Sequence, residues 1–128
     1  MLIVTAIVLG GIIGALLRYY VILLATRYFN YRVFYGTLFV NITGTFLIGC
    51  SATWLYQKEF VFFPWDKLIL VGFLGAYTTF SSYILDTMNL WRSQQYQLAV
   101  KYSLSTLILG FLAAESGILL FRLIESFR

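Results

Sequence analysis

A chain of 128 residues that is 61% hydrophobic and only 11% charged, with a mean hydropathy of +0.86, has the composition of a protein dissolved in lipid; soluble domains carry roughly 25% charged residues. The net charge of +4 comes from nine basic residues scattered without a run, which suits membrane-interface anchors and argues against a nucleic-acid surface. The single cysteine, Cys50, excludes an intrachain disulfide, and without any histidine the commonest zinc and acid–base chemistry lacks its residues, so an enzyme is not expected.

A hydrocarbon core of about 30 Å takes about 20 helical residues to cross. Four apolar stretches meet that length, at about Leu2 to Thr26, Val33 to Tyr56, Trp65 to Met88 and Leu98 to Leu120. They occupy nearly the whole chain, which predicts one all-α domain of four transmembrane helices over residues 1–128 in the cell (plasma or inner) membrane, with no separate soluble part. Met1-Leu2-Ile3 lacks the basic segment of a secretory signal, and the apolar run behind it is too long for one. The turns are short and carry interfacial residues: Arg27 and Arg32 after the first span, Gln57-Lys58-Glu59 after the second, Trp91 and Arg92 after the third. Pro64 suits the first turn of the third helix. Lys58, Lys67, Arg122 and Arg128 fall on the side of the termini, and Arg27, Arg32, Arg92 and Lys101 on the other. That balance gives no positive-inside bias, so the chain is expected to insert both ways up and to pair as an antiparallel two-fold dimer.

In the first span Gly10 and Gly14, and Gly11 and Ala15, are small residues four apart, as close helix packing requires. Arg18 lies well inside the same span, where a guanidinium needs a partner, a carbonyl or a wet cavity. Thr37, Asn41 and Thr45 of the second span share one helix face, a polar stripe equally consistent with interhelical hydrogen bonding and with pore lining.

The third span reads Gly72-Phe73-Leu74-Gly75-Ala76-Tyr77-Thr78-Thr79-Phe80-Ser81-Ser82-Tyr83 near its middle. Two glycines and four hydroxyl residues that compete for backbone bonds predict a broken helix, tolerated at membrane depth only where it is buried or lines a cavity. A break exposes carbonyls and amides that serve as ion ligands. Phe80 and Tyr83, three apart, share a face beyond it and could offer positive ring edges to an anion, although ordinary packing is the commoner role of such a pair. In the fourth span Tyr102, Ser103, Ser105 and Thr106 add neutral hydroxyls, with Tyr102 and Thr106 on one face. Glu115, deep in that span, is expected to pair with Arg18 or to carry no charge, and Asp86, nearer a helix end, to be solvated.

Three runs together resemble the small Fluc (CrcB-type) fluoride channels. They are Gly-x-x-Gly-Ala-x-x-Arg-Tyr ending at Arg18-Tyr19, Gly-Thr-Leu-x-x-Asn-x-x-Gly from Gly36 to Gly44, and the highly specific Gly-Phe-Leu-Gly-x-x-Thr-Thr-Phe-Ser from Gly72 to Ser81. The resemblance, nearly end to end, implies an antiparallel homodimer with two fluoride pathways, passively exporting fluoride from the cytoplasm. It also implies a central sodium ion held by main-chain carbonyls, here those of Gly75 and Thr78 of each subunit. Carried over residue by residue, the pathway falls on Asn41, Phe80, Ser81, Ser82, Tyr83, Tyr102 and Thr106. Tyr83 stands where the family has a second phenylalanine, and Thr106 where a serine is common. Some members pair non-identical subunits that have each lost part of the machinery; every other motif is intact here, so a homodimer is expected. Two other classes share four spans: a small drug-exporting transporter, which needs an acidic residue in its first helix where this chain has Arg18, and a non-conducting assembly subunit, which leaves polar residues on three helices unexplained.

Overall fold

The computed structural model describes residues 1–29, 33–56 and 64–127. Four spans are present, formed by five helical elements: α1 (Leu2–Tyr28), α2 (Val33–Tyr56), α3 (residues 67–77), α4 (Phe80–Arg92) and α5 (Tyr96–Ser126). The third span is α3 and α4 end to end, separated at Thr78 and Thr79, both in extended conformation. The expected break is therefore present, at the two threonines and not at the glycines. Gly75 itself is helical, and its freedom is not what opens the chain.

Outward faces are mostly apolar, with Ile12 and Ile13 on α1, Leu85 on α4 and Leu107, Ile108 and Phe111 on α5 all exposed. The inside is mixed, with Leu74, Val40 and Phe34 buried alongside Ala6, Thr37 and Thr79. Apolar residues facing outward on four helices long and apolar enough to span make the chain a multi-pass membrane protein.

Close backbone approach explains the glycines. Along α1 the buried stripe is Ala6, Gly10 and Gly14, each four residues from the last. A Cβ on Gly10 would collide with the Leu68 carbonyl and one on Gly14 with the Phe73 carbonyl, while one on Gly72 would sit 2.7 Å from the Ile7 carbonyl. α1 thus lies against α3 backbone to backbone. Gly11 faces open space, so of the two small-residue pairs only Gly10 and Gly14 make this contact. The parallel helices α2 and α5 meet in the same way at Gly49, against the Ala114 carbonyl, and Gly117, against the Phe46 carbonyl. The Cys50 thiol donates to the Gly117 carbonyl at 3.4 Å.

α3 departs from the expected geometry. It is π-helical over Lys67–Leu74 and α-helical only over Gly75–Tyr77. Lys67 and Leu68 both donate their amides to the Pro64 carbonyl at 3.1 Å, so Pro64 does open this helix. A π-helix is wider and rarely sustained, and it concentrates at functional sites; here it ends one turn before the break. α5 extends past the expected span at both ends, to 31 residues or about 46 Å, because Arg122 and Glu125 end the apolar run without ending the helix. Arg32, Lys58 and Arg128, which enter the charge balance, and the turn at Gln57-Lys58-Glu59 lie outside the described residues.

Replacing Gly14 by alanine must push α1 off α3 and is expected to cost about 1–3 kcal/mol. Gly11→Ala fills open space and should be neutral or slightly stabilising. Thermal unfolding of the two variants in detergent checks the packing; equal effects would contradict it.

Candidate functional site: a polar groove at the helix break

In an unbroken helix the amide of Thr79 would donate to the Gly75 carbonyl, and that of Ser82 to the Thr78 carbonyl. Neither does so. The Thr79 amide donates to Asn41 Oδ1 at 2.8 Å, and Asn41 Nδ2 donates back to the Thr79 carbonyl at 2.9 Å. One donor and one acceptor on the same residue fix which end of the Asn41 amide is oxygen. The Ser82 amide donates to Thr79 Oγ1 at 3.2 Å, a side-chain cap on α4, and Thr79 Oγ1 in turn donates to Ser82 Oγ at 3.0 Å and lies 3.3 Å from Ser81 Oγ. Arg18 Nη1 reaches the Thr78 carbonyl in a long contact of 3.5 Å. The carbonyls of Gly75 and Thr78 are thereby released from their helical donors.

The second span positions this clamp. Gly44, three residues beyond Asn41, leaves room for Thr78, whose Cγ2 a Cβ at Gly44 would strike. Thr43 Oγ1 and the Tyr77 hydroxyl are 3.0 Å apart, tying α2 to the last turn of α3.

A groove of about 220 Å³ opens at this level, lined by Asn41, Thr45, Thr78, Thr79, Phe80, Thr106 and Gly110. Its polar groups are neutral. Thr45 and Thr106 spend their hydroxyl protons within their own helices, on the carbonyls of Asn41 at 2.9 Å and Tyr102 at 2.8 Å, bonds that rotation about C–O exchanges for a ligand. Asn41 keeps a second Nδ2 proton beyond the one given to Thr79. Phe80 also lines the groove and is 72% exposed.

Tyr83 is placed differently. It is 8% exposed, 5.5 Å from the Phe80 ring and 5.6 Å from Tyr102, which packs on Phe34. Tyr102 and Thr106, one face in sequence, therefore part company: Thr106 lines the groove and Tyr102 the aromatic cluster. The stripe Thr37, Asn41, Thr45 divides likewise, with Asn41 at the clamp, Thr45 in the groove and Thr37 fully buried beside Tyr102 and Asp86. Ser81 is exposed and Ser82 half-buried at the capped start of α4.

Two expectations need correction. Asp86 is not a solvated helix-end residue: it is half-buried, and its Oδ2 is sealed from solvent beside two other sealed oxygens, Thr37 Oγ1 and the Tyr102 hydroxyl. Three sealed polar atoms side by side form a second polar level beyond the aromatic pair. The signal available was spacing, since Asp86 follows Tyr83 by three and Thr37 precedes Asn41 by four. Glu115 does not pair with Arg18. It lies exposed on α5, while Arg18 turns to the Thr78 carbonyl. Thr79 was missed as a site residue because nothing distinguishes it in sequence from the three hydroxyl residues around it.

Residues 5–118 match the family described as CrcB-like protein, Camphor Resistance (CrcB). The chain belongs to the CrcB family. The matched region includes the break, the groove and the Asp86 level. Among its relatives, a protein named "Fluoride-specific ion channel FluC" from Synechococcus sp. is 41% identical over 118 residues, covering 92% of this chain and 91% of its own. Proteins of the same name from Trichormus variabilis and Saccharophagus degradans are 42% identical over 119 residues and 36% identical over 115. These cover 92% and 90% of this chain, and 87% and 86% of their own length.

Within this CrcB fold the Thr79 cap is open to a direct check. Thr79→Val keeps the extended backbone but removes the acceptor for the Ser82 amide, which is expected to cost about 1 kcal/mol in thermal unfolding. An unchanged melting temperature would mean that the cap carries nothing.

Proposed function

We propose that this CrcB-family chain is a passive, fluoride-selective ion channel that lets fluoride leave the cytoplasm and so relieves its toxicity. The observation that carries the reading is the neutral, donor-bearing groove at the break in the third span, in a chain whose relatives are named fluoride-specific ion channels. A small, strongly hydrated anion loses its water only where fixed donors replace it. Here these are the hydroxyls of Thr45 and Thr106 and the ring of Phe80, with Asn41 bordering them at the break. Ser81 and Ser82 add hydroxyls at the start of α4, and Tyr83, Tyr102 and Thr37 lie one level further on. No arginine ring lines the groove; Arg18 stands behind the break, on the Thr78 carbonyl, as a structural charge.

The groove is open along one side, which supports a second copy as its other wall. The balanced basic residues favour an antiparallel homodimer. In that pairing two breaks face each other, and the carbonyls of Gly75 and Thr78, freed from helical donors, are hard oxygen ligands that fit a sodium ion shared between subunits. Two carbonyls from one chain do not complete a coordination shell, so the ion would need both copies. Bound there, it would supply fixed positive charge at the crossing.

Purified protein in liposomes is expected to pass fluoride at least a hundredfold faster than chloride, with no proton gradient required. Comparable chloride flux would contradict the reading. Phe80→Ile keeps bulk but removes the ring quadrupole, and should lower fluoride flux at least tenfold in a protein that remains folded and dimeric. Tyr83→Phe should be tolerated. For topology, a tag at the C-terminus should be found in comparable amounts on both sides of the membrane; a single side would exclude the antiparallel homodimer.

A further inference from the structure

Backbone polar groups at membrane depth must be satisfied by the protein itself. At the break the two peptide groups that flank the Thr79 Cα are both paired by one side chain: the Thr79 N–H and the Thr79 C=O bond to the amide of Asn41, at 2.8 and 2.9 Å. Thr79 is 6% exposed, and water does not stand in for this partner. The next steps follow through Thr79. Its hydroxyl caps the Ser82 amide and holds both Ser81 and Ser82, and Phe80, the first residue of α4, takes its place at the groove rim from the same extended segment. We propose that Asn41 is a positioning residue: its clamp on the Thr79 peptide sets the conformation of the break and, through it, the placement of Phe80 and the seryl hydroxyls, so that its main contribution to conduction is made through the backbone and not as an ion ligand.

A ligand role and a positioning role separate by experiment. A ligand acts on the affinity for fluoride and leaves Thr79 alone. A clamp protects the Thr79 amide whether or not fluoride is present. The readout is hydrogen–deuterium exchange of the Thr79 amide by NMR on the full-length protein in lipid nanodiscs, with no fluoride added, alongside fluoride efflux from liposomes. Asn41→Ala is expected to speed Thr79 exchange at least tenfold while the amide of Leu90 in α4 is unchanged. Asn41→Ser, which keeps a single donor–acceptor group, should fall between, with at least a threefold change, and decides the matter should the alanine variant fail to fold. In the flux assay, which rests on the channel reading, both variants should lose maximal fluoride flux, the alanine at least tenfold, with the half-saturating fluoride concentration unchanged. Thr79 exchange left at the wild-type rate in either variant, or a raised half-saturation with maximal flux preserved, would overturn the proposal. Absence of fluoride flux in the wild type would refute the channel reading instead, and the exchange result would stand independently of it.

Discussion

An interrupted helix inside a bilayer leaves peptide groups that water cannot reach, and every such group costs several kcal/mol unless the protein supplies a partner. In this chain the interruption at Thr78 and Thr79 is made good by two side chains from different spans. Asn41 of α2 pairs both the N–H and the C=O of Thr79, and Arg18 of α1 leans on the Thr78 carbonyl. The glycine contacts serve the same end. Gly10 and Gly14 bring α1 onto the backbone of α3, and Gly44 lets α2 reach Thr78. That proximity is what brings Arg18 and Asn41 within reach of the interruption.

The polar groups left over are those that the proposed channel would use. A closed helix offers nothing to an ion, whereas this break frees the Gly75 and Thr78 carbonyls on one side and presents hydroxyls and a ring edge on the other. Cation-attracting and anion-attracting groups thus arise from a single unwound segment, a few residues apart. The rest of the groove is neutral, which suits an ion that must both enter and leave.

Much of this was legible in the residues themselves. Apolar runs of about 20 residues located four spans, because lipid leaves no alternative to continuous helix. The threonine and serine run predicted the break, because hydroxyls compete for backbone bonds wherever they cluster. What remained hidden depends on which faces meet. Asp86 lies toward the end of the third span but is half-buried beside Thr37 and Tyr102, on the face of α4 that carries its buried residues Tyr83 and Leu90. Tyr102 and Thr106 share a helical face yet serve different levels, because a face four residues long covers more depth than the groove. The π-helix has no signature that a hydropathy pattern detects, and Gly49 and Gly117 look unremarkable until α2 and α5 are laid parallel.

Where fluoride sits decides whether the break forms its path. Solid-state NMR of the protein in lipid, with fluoride present and carbon-13 in the side chains, measures proximity to the ion through fluorine–carbon dephasing. Dephasing at Phe80 and Thr106, with none at Ala15, Tyr19 or Ile22 in the separate apolar groove beside Arg18, is the predicted result. Dephasing confined to that second groove, or absent from both, would contradict a fluoride path through the break.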